Sequence, residues 1–95
     1  MDLENVVKIC DALSNPIRLK ILYILDNKPM SIYELSKILN LSRPVLYAHI
    51  KKLEKANLIE SNLIVENNRT KRIYKAKKFN FYIDNKVIEK LFKSE

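Results

Sequence analysis

The sequence predicts a mainly α domain with one small β-hairpin, in the order α-α-α-α-β-β-α. Two observations carry this. Apolar residues recur at helical spacing through residues 3–55, broken at Ser14-Asn15-Pro16, at Asp26-Asn27-Lys28-Pro29 and at Asn40. From Leu58 to Ala76 two runs of β formers flank Glu66-Asn67-Asn68-Arg69, before helical spacing returns over residues 82–93. The chain has 95 residues, enough for a single domain, residues 1–95, with one modest core.

The first helix is expected over residues 3–13. Leu3, Val6, Val7, Cys10 and Leu13 fall on an apolar stripe, with Asp2, Glu4, Lys8 and Asp11 between them. Cys10 is expected to be a buried small hydrophobe; a reactive thiol or metal ligand is the lesser reading. Asn15 can cap the second helix and Pro16 suits its first position. Residues 16–26 are apolar almost all round, which predicts a central helix touched on several sides.

Ser31 to Asn57 carries the strongest local signals. Ser31 and Glu34 form the S-x-x-E capping box, and Met30 and Leu35 supply the hydrophobic staple. Ile32, Leu35 and Ile38 (or Leu39) make one buried face. The chain has no glycine, so Asn40, the next most tolerant residue at positive φ, is expected to close this helix. The following helix, residues 42–56, starts at Ser42 with Pro44 in its first turn, and Asn57 ends it.

Leu46, Ile50 and Leu53 face a core, leaving Pro44, Tyr47, Ala48, Lys51, Lys52 and Lys55 on the other side. That side is cationic and carries no acid. Its amino end, headed by Arg43, is slim enough for a major groove, while its carboxyl end meets phosphates. No acid follows Ser42 at the capping-box position, so N–H groups stay available for a phosphate. Ser31, heading the preceding helix, is included in the nucleic-acid contact set. The plainer reading is a helical hairpin with a solvated lysine face.

Leu58–Glu66 and Thr70–Ala76 read as paired strands. A hairpin directly after a recognition helix is a wing, here residues 66–72, with Asn68, Arg69, Thr70, Lys71 and Arg72 on its tip and return strand. Arg69 is the expected minor-groove probe, because a narrow groove concentrates negative potential. The last helix, residues 82–93, bears an apolar stripe of Ile83, Val87, Ile88, Leu91 and Phe92. Two amphipathic end helices offer more apolar surface than one small core covers. A homodimer through Leu3, Val6, Val7 and Cys10 together with the last-helix stripe is therefore expected.

The formal net charge of +7 points to a polyanion. Heavy lysine usage explains part of it, but Arg69, Lys71, Arg72, Lys75, Lys77 and Lys78 cluster in a stretch without acids. No apolar run approaches membrane length and the start lacks signal-peptide order, so a cytoplasmic protein without membrane contact is expected. One cysteine permits no internal disulfide. There is no nucleophile–base pair, no paired carboxylates in a cleft and no Gly-rich phosphate loop, which argues against an enzyme. One Cys and one His on different elements are too few for a transition-metal site, so no metal and no cofactor are expected. The rivals to double-stranded DNA are a winged-helix adaptor for other proteins and a non-specific RNA or single-strand binder; the adaptor usually has a neutral or acidic recognition face, and the single-strand binder favours aromatic stacking surfaces.

In this order the residues resemble the ArsR-like family of winged helix-turn-helix transcriptional regulators. ALSNPIRLKILYIL is similar to that family's second-helix signature, an Ala-Leu followed by Pro-x-Arg-x-x-Ile-Leu. LSKILNLSRPVLYAHIKKLEKANLIES is similar to its DNA-binding segment: Leu-Ser-x-Pro, a later His, then Leu and a closing Leu-Ile. Tyr74 ends the wing as in the family. The resemblance implies a homodimer whose first and last helices form the interface and whose recognition helices read a palindromic operator. It matches Ser42, Arg43, Pro44, Tyr47, Ala48 and Lys51 to groove-facing residues and Asn68 to Arg72 to the wing. His49 matches a family histidine, structural or phosphate-contacting. Metal-sensing members carry Cys-x-Cys where this chain has Ser31 and Tyr33, and other members carry His with acids on the last helix, where Asp84 stands without a His. A transition-metal inducer is not expected.

Overall fold

The computed structural model describes residues 1–93. Its elements are α1 (Leu3–Leu13), α2 (Pro16–Asn27), α3 (Ile32–Leu39), α4 (Arg43–Lys55), β1 (Ile59–Glu66), β2 (Arg69–Ala76) and α5 (Asn85–Lys93), the order expected from the sequence. Side chains set most helix starts. Asp2 caps α1 by accepting from Asn5 N at 2.8 Å, and Asn15 caps α2 by accepting from Ile17 N at 2.8 Å. At α3 both halves of the capping box are present.

Asparagine replaces glycine wherever the backbone turns left-handed. Asn40 and Asn57 follow α3 and α4 at φ 53° and 61°, and Asn67 and Asn68 centre the hairpin turn at φ 52° and 62°. Positive φ at both central residues is what a type I′ turn needs to match the twist of its strands. β1 and β2 pair antiparallel from Ile59↔Ala76 to Glu66↔Arg69. Met30, just ahead of α3, adds a bridge to the hairpin: its N–H donates to Tyr74 O at 3.0 Å and Tyr74 N–H donates back at 2.8 Å. The base of the wing is thereby tied to the head of α3.

The core centres on Ile21 of α2, Leu35 of α3, Leu46, Ile50 and Leu53 of α4, and Leu58, with Ile59 and Tyr74 closing it from the hairpin. The structure corrects two expectations, on α1 and on the last helix. α1 buries Val6, Ile9 and Ala12 and leaves Leu3, Val7 and Cys10 exposed, so Cys10 is not a buried hydrophobe. Its apolar surface is wide enough to hold two adjacent stripes, and the core takes the one containing small Ala12. Of the two residues offered for the end of α3, Leu39 packs on the core and Ile38 is exposed. α2 is the central helix the sequence predicts: it buries Ile21, Leu22, Ile24 and Leu25 and is packed by α1, α4 and β2, with Leu19 and Tyr23 left exposed. The last helix begins at Asn85 rather than residue 82, because Asp84 accepts from Val87 N at 2.9 Å and fixes the start there. No residue of α5 is buried within the chain.

Candidate nucleic-acid interface

α4 separates its two faces cleanly. Leu46, Ile50 and Leu53 are at most 1% exposed, whereas Ser42, Arg43, Pro44, Tyr47, Ala48, Lys51, Lys52 and Lys55 all lie at the surface. The Ser42 side chain makes no capping hydrogen bond, so the first turn of α4 keeps its N–H groups without a side-chain partner. A helix N-terminus in this state attracts anions through free donors and the helix dipole.

On the helices, two members of the expected contact set have other partners. Ser31 is 5% exposed; its hydroxyl accepts from Glu34 N at 3.2 Å, and its N–H donates to Glu34 Oε1 at 3.1 Å. It caps α3 and has almost no surface to give a nucleic acid. Lys52 Nζ lies 2.8 Å from Asp11 Oδ2 on α1, and this bond holds the Asp11 carboxyl below its ordinary pKa. The polar side of α4 therefore does have an acid next to it, supplied by another helix.

On the wing, Asn68, Arg69, Thr70 and Arg72 are exposed and Lys71 is half-buried. Arg72 Nη1 donates to Ser61 Oγ at 2.8 Å across the hairpin, and Lys71 Nζ stands 3.8 Å from Glu34. Arg69 has no ion-pair partner among the described residues. Between wing and helices runs an open cleft: Tyr33 and Arg43 form one wall, Arg69, Thr70 and Lys71 the other. The groove continues past Tyr47 to Arg72. The head of α4 and the wing thus belong to one surface. Tyr33, which the sequence reading left out, lies under two cations: the Arg43 guanidinium carbon is 5.7 Å and Lys37 Nζ 4.5 Å from its ring centroid.

Behind α4 sits Arg18, only 6% exposed. Its Nε donates to Ala12 O and its Nη2 to Asp11 O, each at 2.8 Å, so the guanidinium caps the last turn of α1, where the helix dipole favours a cation. Nη1 lies 3.1 Å from His49 Nδ1. A guanidinium cannot accept, so Nδ1 must, and the neutral ring carries its proton on Nε2. Burial, then the Arg18 and Lys52 charges, push the His49 pKa down. Of the two roles considered for His49, the contact with Arg18 is structural. The two end helices leave Leu3, Val7, Cys10, Ile88 and Phe92 exposed and Val87 and Leu91 half-buried; Ile83, expected on the last helix, is exposed in the segment before α5, and Val6 is already covered by its own chain.

Among the described residues no three of His, Cys, Asp and Glu gather as a metal site, and no helix is long and apolar enough to cross a membrane.

Known proteins match both the sequence and this architecture. The profile of the bacterial regulatory protein, arsR family, covers residues 15–61, from the start of α2 into β1. A protein of Methanocaldococcus jannaschii, described as an uncharacterized HTH-type transcriptional regulator, is 64% identical over 95 residues, 100% of both chains. Among solved structures, NolR from Sinorhizobium fredii aligns with TM-score 0.66 and 25% identity over 93% of this chain and 78% of its own. A homodimeric winged helix-turn-helix DNA-binding domain from Mycobacterium bovis, a possible ArsR-family regulator, aligns with TM-score 0.67 and 22% identity, over 78% of this chain and 65% of that one. From its profile match and its full-length relative, this chain belongs to the ArsR family of winged helix-turn-helix transcriptional regulators.

Proposed function

We propose that the protein is a cytoplasmic, homodimeric regulator that binds double-stranded DNA sequence-specifically, with α4 in the major groove and the wing over the adjoining backbone or minor groove. The observation that carries this reading is the single surface running from the outer side of α4 through the Tyr33–Arg43 cleft to Arg69. Arg43, Tyr47 and Ala48 present the end that meets base edges. Lys51 and Lys55 follow toward phosphates, and Arg69, Thr70, Lys71 and Arg72 continue the cationic strip. Lys52, held by Asp11, contributes less than its neighbours, and Ser31 contributes through the fold of α3 alone. A homodimer is supported by the apolar residues that α1 and α5 leave uncovered, and by the homodimeric state of the similar Mycobacterium bovis domain.

A salt titration tests the reading. With about six to eight cations of a dimer on phosphates, log K falls with log salt at a slope of about −5 to −7. Duplex DNA competes better than single strands. Lys51→Ala, removing one such contact from each protomer, weakens all sequences alike and flattens the slope by about 1.8. A slope near zero, or equal competition by single strands, overturns the proposal in favour of a protein adaptor or an unselective single-strand binder.

A further inference from the structure

We infer that Tyr33 is a positioning residue for base recognition: its ring is the platform that holds the Arg43 guanidinium in place at the head of α4. The inference rests on the reading of Arg43 as a base-edge contact. Tyr33 is the second residue of α3, between the two halves of the Ser31–Glu34 capping box, so its backbone is fixed by hydrogen bonds on either side. The residue is 50% exposed, on the cleft wall that Arg43 shares. The guanidinium carbon at 5.7 Å from the ring centroid is within cation–π range.

The arrangement solves a problem particular to this chain. Arg43 is the first residue of α4 and its side chain is exposed, so unsupported it would sample many rotamers and lose that freedom on binding. A planar guanidinium resting near an aromatic ring keeps its in-plane donors free for the paired acceptors on a guanine edge. Lys37, one helical turn beyond Tyr33, places its ammonium 4.5 Å from the same centroid. It cannot substitute for Arg43, because an ammonium lacks the two-pronged donor geometry.

The experiment uses the full chain. Duplexes selected by the wild type from a random pool define the site, and dissociation constants are then measured on that site, on versions substituted at each position, and on unrelated duplex. Arg43→Ala identifies the position at which Arg43 discriminates. Tyr33→Leu is expected to lose discrimination at that same position by about two- to fivefold, the range of an exposed cation–π contact. Affinity for unrelated duplex stays unchanged. Tyr33→Phe, which keeps the ring and removes the hydroxyl, retains wild-type discrimination, and Tyr33→Leu added to Arg43→Ala costs nothing further at that position. Wild-type discrimination in Tyr33→Leu overturns the inference. So does an equal loss on selected and unrelated duplex, which marks a backbone contact, or a loss in Tyr33→Phe equal to that in Tyr33→Leu, which marks a hydroxyl contact. If Arg43→Ala itself shows no position-specific loss, the base-reading role of Arg43 falls and this inference with it; if only Tyr33→Leu fails, the base-reading role stands.

Discussion

Arg18 shows what a charge must do to be tolerated inside so small a protein. At 6% exposure it directs donors to two carbonyls of α1 and to His49 on α4, joining three helices. Arg18→Met keeps the apolar stem but strands the acceptors, at about 1–3 kcal/mol for each that stays buried; chemical denaturation reads the loss, and an unchanged midpoint would show that water replaces the guanidinium. Helical spacing marks Arg18 only as a polar residue in an apolar helix, and the signature that includes it does not say what it binds. Its partners lie 6, 7 and 31 positions away, and no local pattern announces them. His49 adds a pH dependence. Its pKa is lowered from 6.5 by burial first and then by Arg18 and Lys52, with Asp11 of α1 the acid that binds Lys52. The unfolded chain therefore takes up the proton before the folded one does. The stability from neutral His49 is complete above the unfolded value of 6.5 and is lost as pH falls from there toward the depressed folded value. Melting curves recorded at falling pH should show this decline, and His49→Gln should flatten it; an identical decline in the variant assigns it to other groups.

Helix ends were the most legible elements, because their chemistry is local. Ser31 with Glu34, Asn15 with Pro16, and Asn at each left-handed stop were readable as residue pairs a few positions apart, and the structure places hydrogen bonds or positive φ at each. The inward side of α4 was equally plain from spacing. The choice between two adjacent apolar stripes on α1 was not, since either satisfies helical periodicity and only the packing of Ala12 selects one. Nor was the Met30–Tyr74 bridge, a single pair too short to have a period. Within the candidate interface, the outward positions of α4 and the wing could be read off, whereas the Lys52–Asp11 pair and the Tyr33–Arg43 approach join different elements and left no local trace. The left-handed stop at Asn40 carries a direct test. Alanine there meets its Cβ clash, so Asn40→Ala should cost about 1 kcal/mol, or roughly 4–8 °C of melting temperature in a domain of this size. Asn40→Gly should melt at or above the wild type. If both variants melt together, the turn between α3 and α4 does not depend on its left-handed residue.

At the scale of the molecule, α5 is the element its own chain leaves uncovered. Phe92 is 52% and Ile88 43% exposed on a helix with a sharply one-sided apolar face, and the chain itself buries no residue of that helix. A second copy placing the same face against this one closes the surface by a two-fold axis and satisfies both helices at once. The same axis would present two α4 helices to DNA, so association and binding strength are linked. Phe92→Glu is the test that separates them. Since α5 contributes nothing buried to the single chain, the variant should retain helical circular dichroism while sedimenting as a monomer at micromolar concentration. The salt slope counts the phosphates touched, so a monomer with half the contacts should show about half the wild-type slope. Sedimentation of Phe92→Glu as a dimer would remove α5 from the interface; a monomer keeping the full slope would mean that one protomer makes all the phosphate contacts and that pairing serves something other than DNA affinity.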